Sequence, residues 1–458
     1  LKDKKNIFRW SVIGLVGLAV LISVFWVSIK KLEGETPSIN LERSSFAFGE
    51  KQTLSGTVTD KKNGVRRIWI GVVQSGREFV LLDKEYPSRG IGPLGSGVVP
   101  EESFSIPFEP KAMGLHDGMA TLRMLALDYS WRDWGRGNRA YIEKEILIDT
   151  VPPEIKILSG MLYLAQGGSG LVIYRVSEKS PRTGVLVGEN EFPGHSGAFS
   201  EDHIFMAFFA LSHQQGTDTK LYVEAVDEAG NSTKAKVRCH IKVKQFKTDI
   251  INISDKFLNW KMPEFKKTIA AKPDASMVDL FLTVNRDVRR NNKAAFIQKG
   301  RKTDNVRYWE GRFLRLPKAA NKAGFADRRV YKYKGRTIDR QVHLGVDLAS
   351  IQKSPVPVAN SGKVVLAEDL GIYGKTVLVD HGFGLFSSYS HLSRIDVTVG
   401  DRVVKGQQIG ITGKTGLAGG DHLHFGMMIH NTFVNPKEWW DPDWIRNNIT
   451  DKIKTVEY

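Results

Sequence analysis

Twenty consecutive residues without a charge, WSVIGLVGLAVLISVFWVSI from Trp10 to Ile29, constrain this chain more than any other feature. At about 1.5 Å per residue a helix of that length reaches across the roughly 30 Å hydrocarbon layer of a bilayer. The stretch is longer than the apolar core of a signal peptide, and no small-residue cleavage pattern follows it. A buried core helix is the soluble alternative. Lys2, Lys4, Lys5 and Arg9 precede the segment and Lys30 and Lys31 follow it, so positive charge is richer on the N-terminal side. The expectation is a transmembrane helix over residues 10–29, with residues 1–9 in the cytoplasm and everything after Lys31 in the periplasm or outside the cell. Trp10 and Trp26 stand near the two ends, where indole rings favour the membrane interface.

The rest of the chain has the composition of a folded protein. Of 458 residues, 41% are hydrophobic and 25% charged, which excludes global disorder. That length predicts about two to four domains. The net charge of +16 points to an anionic partner: nucleic acid, phospholipid headgroups or an acidic wall polymer. The cations are spread along the chain, and no zinc-finger or RNA-binding signature accompanies them, so nucleic acid is set aside. Cys239 is the single cysteine, which rules out an internal disulfide and a cysteine-rich metal site.

Residues 36–150 read as short strands with turn punctuation: GVRRIWIGVV and REFVLLDKEY mix apolar and β-branched residues, and GSGVVP and DGMA supply turns. Residues 151–245 continue in the same manner. In MLALDYSWRDWGRGNRAYIEKEILI and YVEAVDEAGNSTKAKVRCHIKV a strand ends in Ala-x-Asp, a Gly–Asn turn follows, and a second strand begins. DTVPPEI lies between them, and its paired prolines stiffen a joint. The pattern resembles tandem bacterial immunoglobulin-like domains, which implies two β-sandwiches acting as spacers or binding modules. Residues 250–325 change character. Met277, Leu280, Phe281, Val284 and Val288 recur at helical spacing, with Asp274 or Ser276 placed to cap the helix. This is a partly helical connector, either a plain spacer or a segment that touches the site downstream and restrains it.

From about residue 326 to 445 the pattern is β again, with glycine at the corners, as in VGDRVVKGQQIG. Here the histidines gather. In HLGVDLAS, strand alternation places His343, Gly345 and Asp347 on one face and Leu344, Val346 and Leu348 on the other. In HLHF it places His422 and His424 together, opposite Leu423 and Phe425. Two such strands side by side make one polar cluster, and SSYSHLS adds His391. Imidazole nitrogens and a carboxylate suit tetrahedral zinc, which in catalytic sites takes three protein ligands and keeps one position open. Four candidates leave one spare, and alternation does not say which histidine of HLH it is. The spare groups would handle protons.

The pieces HLGVDLA, DHGFGLFSSYSHLS, VTVGDRVVKGQQIGITGKTG and DHLHFGM, in this order and spacing, resemble the lysostaphin/LytM-type zinc endopeptidases of the bacterial cell wall over about residues 326–440. FVNPKEWW resembles that family's closing strand. The resemblance implies an antiparallel β peptidase domain holding one Zn²⁺ on His343, Asp347 and His424. It implies that His391 and His422 form the catalytic pair, and that Tyr389 lines the cleft. His381 and His430 are expected at surface or turn positions. The whole is then a mainly β, membrane-anchored enzyme of the inner or cell membrane that cuts peptide bonds in peptidoglycan. Two rivals remain. One is a non-catalytic envelope protein that binds peptidoglycan or activates another hydrolase. The other is a zinc peptidase aimed at proteins.

Overall fold

The computed structural model describes residues 2–42, 45–89, 95–266, 269 and 275–457. The chain divides into two compact units, one of Leu1–Pro152 with Val226–Ser232, the other of Pro153–Ala225 with Thr233–Tyr458. The architecture is mainly β, with one long apolar helix at the N-terminus.

That helix spans Lys2–Lys31. Its Ile7–Lys31 portion, 25 residues, is long and apolar enough to cross a membrane, and none of its apolar window is buried. Leu15 is 68% exposed and Phe25 67%. Among the described residues only its last turn is held, where Lys31 is buried and donates to Tyr129 O; an apolar stretch left uncovered is unstable in water and stable in lipid. In the remainder of the first unit, Ser38–Leu41, Gln52–Thr59 and Glu101–Phe108 form a three-stranded sheet. A five-stranded sheet runs in the order Ala47–Phe48, Arg139–Ile148, Gly118–Asp128, Val65–Gln74, Arg77–Glu85. Alternation sets the buried faces: along Gly118–Asp128, Ala120, Leu122, Met124 and Ala126 are buried while their neighbours are not. These meet Phe48, Val58, Ile68 and Phe108 in a core belonging to this unit alone.

The second unit has one continuous core, running from Leu162 to Ile453. Ile155–Ile157, Ser169–Val176 and Ile204–Ala210 form a three-stranded sheet, and its Phe208 ring lies 6.1 Å from Trp439 of the C-terminal region. The largest sheet is antiparallel, in the order Ala320–Ala323, Val346–Ala349, Leu423–Ile429, Leu385–Leu392, Lys375–Asp380, Gly362–Asp369, Arg402–Val403, with Thr432–Val434 pairing on Leu423–Ile429. Every residue of Leu385–Leu392 and of Leu423–Ile429 is buried, so both faces of the sheet's centre are covered.

Part of that cover comes from residues 250–325. Thr248–Ile253 pairs parallel with Arg328–Tyr333. Helices follow at Asp255–Lys266, Met277–Thr283 and Arg289–Gly300, the last two joined by a wider π turn over Val284–Val288. Ser276 caps the second helix in a reciprocal box with Asp279, whereas Asp274 lies outside the described residues. Phe281 packs 5.6 Å from Tyr331, and Phe296 5.0 Å from Tyr373. Trp309 and Phe313 each lie 5.5 Å from Trp439. A bare spacer would carry no such residues; these fill the core of the C-terminal sheet.

Candidate metal centre

Strand pairing brings the acidic and imidazole groups together. Val346–Ala349 and Leu423–Ile429 are neighbours, and Asp347 stands directly opposite His424. The strand begins only at Val346, so His343 reaches the cluster from the preceding turn rather than by strand alternation. Backbone bonds fix it there: His343 N–H donates to Asp327 O at 3.0 Å, and Ala326 N–H donates to His343 O at 2.7 Å. Gly345 leaves the necessary room, since a Cβ at that position would sit 2.6 Å from the His424 ring. The outcome is a triangle in which His343 Nε2, Asp347 Oδ1 and His424 Nδ1 are each 2.9 Å from the other two.

The donor chemistry of that triangle fits a metal ion. His343 Nδ1 is 2.8 Å from Gly324 O, an acceptor, so Nδ1 carries the proton of a neutral ring and Nε2 presents a lone pair. That lone pair faces the Asp347 carboxylate. Three electron-rich atoms converging in a buried place call for a cation, and two imidazoles with one carboxylate are a zinc donor set. His424 Nε2, on the outer side of its ring, is buried without a hydrogen-bond partner among the described residues. Burial pushes His424 down to about 4, which keeps the ring neutral and able to ligate. Burial opposes ionisation of Asp347, but the positive charge of His343 when it is protonated, with hydrogen bonds from His343, His422 and His424, outweighs it and holds the carboxyl well below the usual carboxylate range.

His391 and His422 flank the triangle, their rings 4.8 Å apart. His391 Nδ1–H donates to Thr415 O at 2.9 Å and His422 Nδ1–H to Gly420 O at 2.8 Å, which leaves each Nε2 free for a reacting group. Burial, then the neighbouring His422 and His424, drives His391 well below its usual range and keeps it neutral. Burial also opposes the charge on His422, but Asp347, with Oδ1 3.6 Å from Nε2, prevails and raises it. A bound cation would lower both, in the same sense as burial. The ring of His391 lies 5.8 Å from that of His424.

One sequence expectation falls elsewhere, and two others hold as positions between strands but not as surface ones. Tyr389 does not line the cleft: it is fully buried, and its hydroxyl meets Ala359 N–H at 2.7 Å and Ser387 Oγ at 2.8 Å. The reason is a bulge. Lys375 pairs with Leu392 but Val377 with Tyr389, so one extra residue is inserted after Tyr389, and His391 takes φ 64°. Tyr389 and His391 therefore leave the strand on different sides. Neither His381 nor His430 is a surface group. His381 is fully buried between Ser361 O and Ser387 Oγ, and His430 occupies a turn but stacks at 5.7 Å on His195.

Two neighbours escaped sequence reasoning. Arg329 donates to Asp347 Oδ2 at 2.7 Å, holding the carboxylate oxygen that faces away from the histidines. Tyr373 lies 5.5 Å from His424. The sequence holds no spacing cue for either, because each arrives from a separate element. The cluster opens into a cavity of about 330 Å³ whose other wall includes Ile251, Ile253, Phe257 and Phe281 from residues 250–325.

Residues 341–436 match peptidase family M23. The chain is 37% identical over 93 residues to a peptidoglycan DD-endopeptidase of Vibrio cholerae, ShyA, covering 20% of this chain and 22% of that one. It is 35% identical over 96 residues to a DD-carboxypeptidase/endopeptidase of Neisseria meningitidis, Mpg, covering 21% and 22%. The chain thus spans about a fifth of the length of these curated relatives. Among solved structures, the catalytic domain of lysostaphin from Staphylococcus simulans is 30% identical, with 29% of this chain and 98% of that one covered and a TM-score of 0.25.

Proposed function

Because residues 341–436 are a peptidase family M23 domain, we propose that this chain is a membrane-anchored zinc endopeptidase that hydrolyses peptide bonds in peptidoglycan stems or cross-links. The observation that carries the reading is the buried triangle of His343 Nε2, Asp347 Oδ1 and His424 Nδ1, each pair 2.9 Å apart. These three would hold the ion. When bound there, zinc supplies Lewis acidity toward an amide carbonyl and makes water nucleophilic at neutral pH. Arg329 fixes the Asp347 carboxylate through its second oxygen. His391, kept neutral, takes a proton at Nε2. In its protonated form His422 donates from Nε2 to the oxygen on which charge builds, and the proton taken up by His391 passes to the leaving amine. No Ser or Cys nucleophile is required. The N-terminal helix anchors the chain with its bulk outside the cytoplasm; of the two upstream β regions, immunoglobulin-like in our reading, residues 36–150 serve as a spacer and residues 151–245 share the core of the catalytic domain. The alternative is a non-catalytic envelope protein. Retention of all five polar positions supports the peptidase.

Alanine at each of the five positions tests this. His343→Ala, Asp347→Ala and His424→Ala should lose zinc and activity together. His391→Ala and His422→Ala should keep zinc and lose about 10²–10⁴-fold in turnover of purified peptidoglycan. Loss of zinc from His422→Ala with retention in His424→Ala would reverse the assignment within HLH. Full zinc and full activity in all five would end the peptidase reading.

A further inference from the structure

A second cavity, of about 760 Å³, adjoins the metal centre and shares Arg289, Arg329, Leu344 and Tyr373 with it. Its lining contains seven arginine or lysine side chains and no carboxylate. Three of the seven are answered by neighbouring acids: Arg286 by Asp339, Arg290 by Asp287, and Arg329 by Asp347. Arg289 bonds only to Asn285, and Lys293, Arg328 and Arg340 have no side-chain partner among the described residues. The arrangement is costly to the fold. Arg289 and Lys293 are four apart on one helix, and like charges at that spacing repel. On the adjoining hairpin Val330 pairs with Arg340 and Arg328 with Val342, so the two arginines are diagonal neighbours on one face. Cations gathered from a helix and a hairpin around an acid-free concavity create a strong positive potential there.

We infer that this groove binds an acidic peptide through its carboxylates, and that it receives the part of the substrate lying beside the bond to be cut. The inference rests on the peptidase reading for the second clause and on the groove's own charge for the first. Continuity with the metal centre selects a peptide over other anions: an extended chain whose amide sits at His391 and His422 passes Tyr373 and Arg289 and enters the groove. The volume falls within the range of small-ligand sites and suits a few residues. Gln214 also lines it, and its side-chain amide has no partner among the described residues.

The test uses the full chain in detergent, with tri-glutamate and tri-glutamine as soluble probes in calorimetry. Wild type should bind tri-glutamate about tenfold tighter, which corresponds to ~1.4 kcal/mol. The double variant Arg328→Gln/Arg340→Gln, and separately Lys293→Gln, should bring the ratio close to one while zinc content and melting temperature stay unchanged, since these side chains are exposed. Equal binding of the two peptides by wild type, or a preference that survives in the variants, overturns the assignment. So does inorganic polyphosphate bound more tightly per charge than tri-glutamate and lost in the same variants, which would make this a general polyanion site. Cleavage of peptidoglycan before and after its carboxylates are converted to amides separates the two claims. A protein that cuts neither form but prefers tri-glutamate keeps the groove and loses the peptidase. One that cuts both equally and shows no preference keeps the peptidase and loses the groove.

Discussion

Glu438 lies in the closing segment of the peptidase domain, and its Oε2 accepts from Ser169 N–H at 2.9 Å and from Ser169 Oγ at 3.2 Å. Ser169 belongs to the upstream three-stranded sheet of the same compact unit. Burial raises the Glu438 carboxyl from 4.5 to about 7, against the opposing pull of both serine bonds. The sign follows from proton linkage. Below pH 4.5 the group is protonated whether the chain is folded or not. Between 4.5 and about 7 the unfolded chain loses the proton and the folded one keeps it, so stability falls as pH rises; above 7 the loss is complete. A rise of roughly 2.5 units at 1.36 kcal/mol per unit amounts to about 3 kcal/mol.

Glu438→Gln removes the ionisation. Both serine donors meet one oxygen, which the amide retains, so the hydrogen bonds survive. The difference in stability between variant and wild type should be constant below about pH 4.5 and grow in favour of the variant up to pH 8, by about 3 kcal/mol. For a unit of about 300 residues the unfolding entropy near 60 °C is about 0.6 kcal/mol/K, which converts that into about 5 °C in Tm. Scanning calorimetry of both proteins at pH 4, 5, 6, 7 and 8 gives the difference directly, and every other titrating group cancels in the subtraction. A difference that does not vary with pH, or one that shrinks as pH rises, would refute the reasoning and with it the buried contact between the upstream sheet and the peptidase domain.

Other outcomes follow from the same geometry. Tyr389→Phe leaves the buried Ala359 N–H without its acceptor and should cost about 1–3 kcal/mol in denaturant unfolding, with zinc content and kcat unchanged. Gly345→Ala drives a methyl into the His424 ring and Phe425 O, so a metal-binding titration should show weaker zinc retention and unfolding should come about 1–3 kcal/mol earlier. The fragment 326–458 lacks Phe281, Phe296, Trp309 and Phe313 from its core and should show no cooperative melt, whereas 153–458 should show one. Phe257→Ala, which trims one wall of the metal cavity, should raise kcat/KM on peptidoglycan if residues 250–325 restrict access; an unchanged value would make that segment scaffold alone.

What could be read from the sequence, and what could not, divides along a physical line. The pairing of Asp347 with His424 needs only two strands of period two laid antiparallel, and both periods are written in HLGVDLA and HLHF. The apolar segment at Trp10–Ile29 is legible for a similar reason: a single element carries its whole signal. Tyr389 fails because alternation holds only while the ladder is regular, and the extra residue at His391 has no composition signature; a histidine at positive φ is visible only in the backbone. His343 reaches its place by a turn that alternation happened to imitate. Residues 250–325 looked like a connector because their helix was judged by its own face, whereas what that face packs on, Tyr331 and Phe433, lies as much as 137 positions further along the chain from Phe296. The arginine groove is the extreme case. Arg289 and Lys293 come from a helix and Arg328 and Arg340 from a hairpin, each an ordinary solvated charge within its own segment. In a chain of net charge +16 those four carry no distinction, and it is the fold that sets them around one cavity without an acid among them. Groups proposed as catalytic, on adjacent strands, are thus announced locally. The surface that would choose their substrate is assembled from a distance, and charge totals along the chain cannot reveal it.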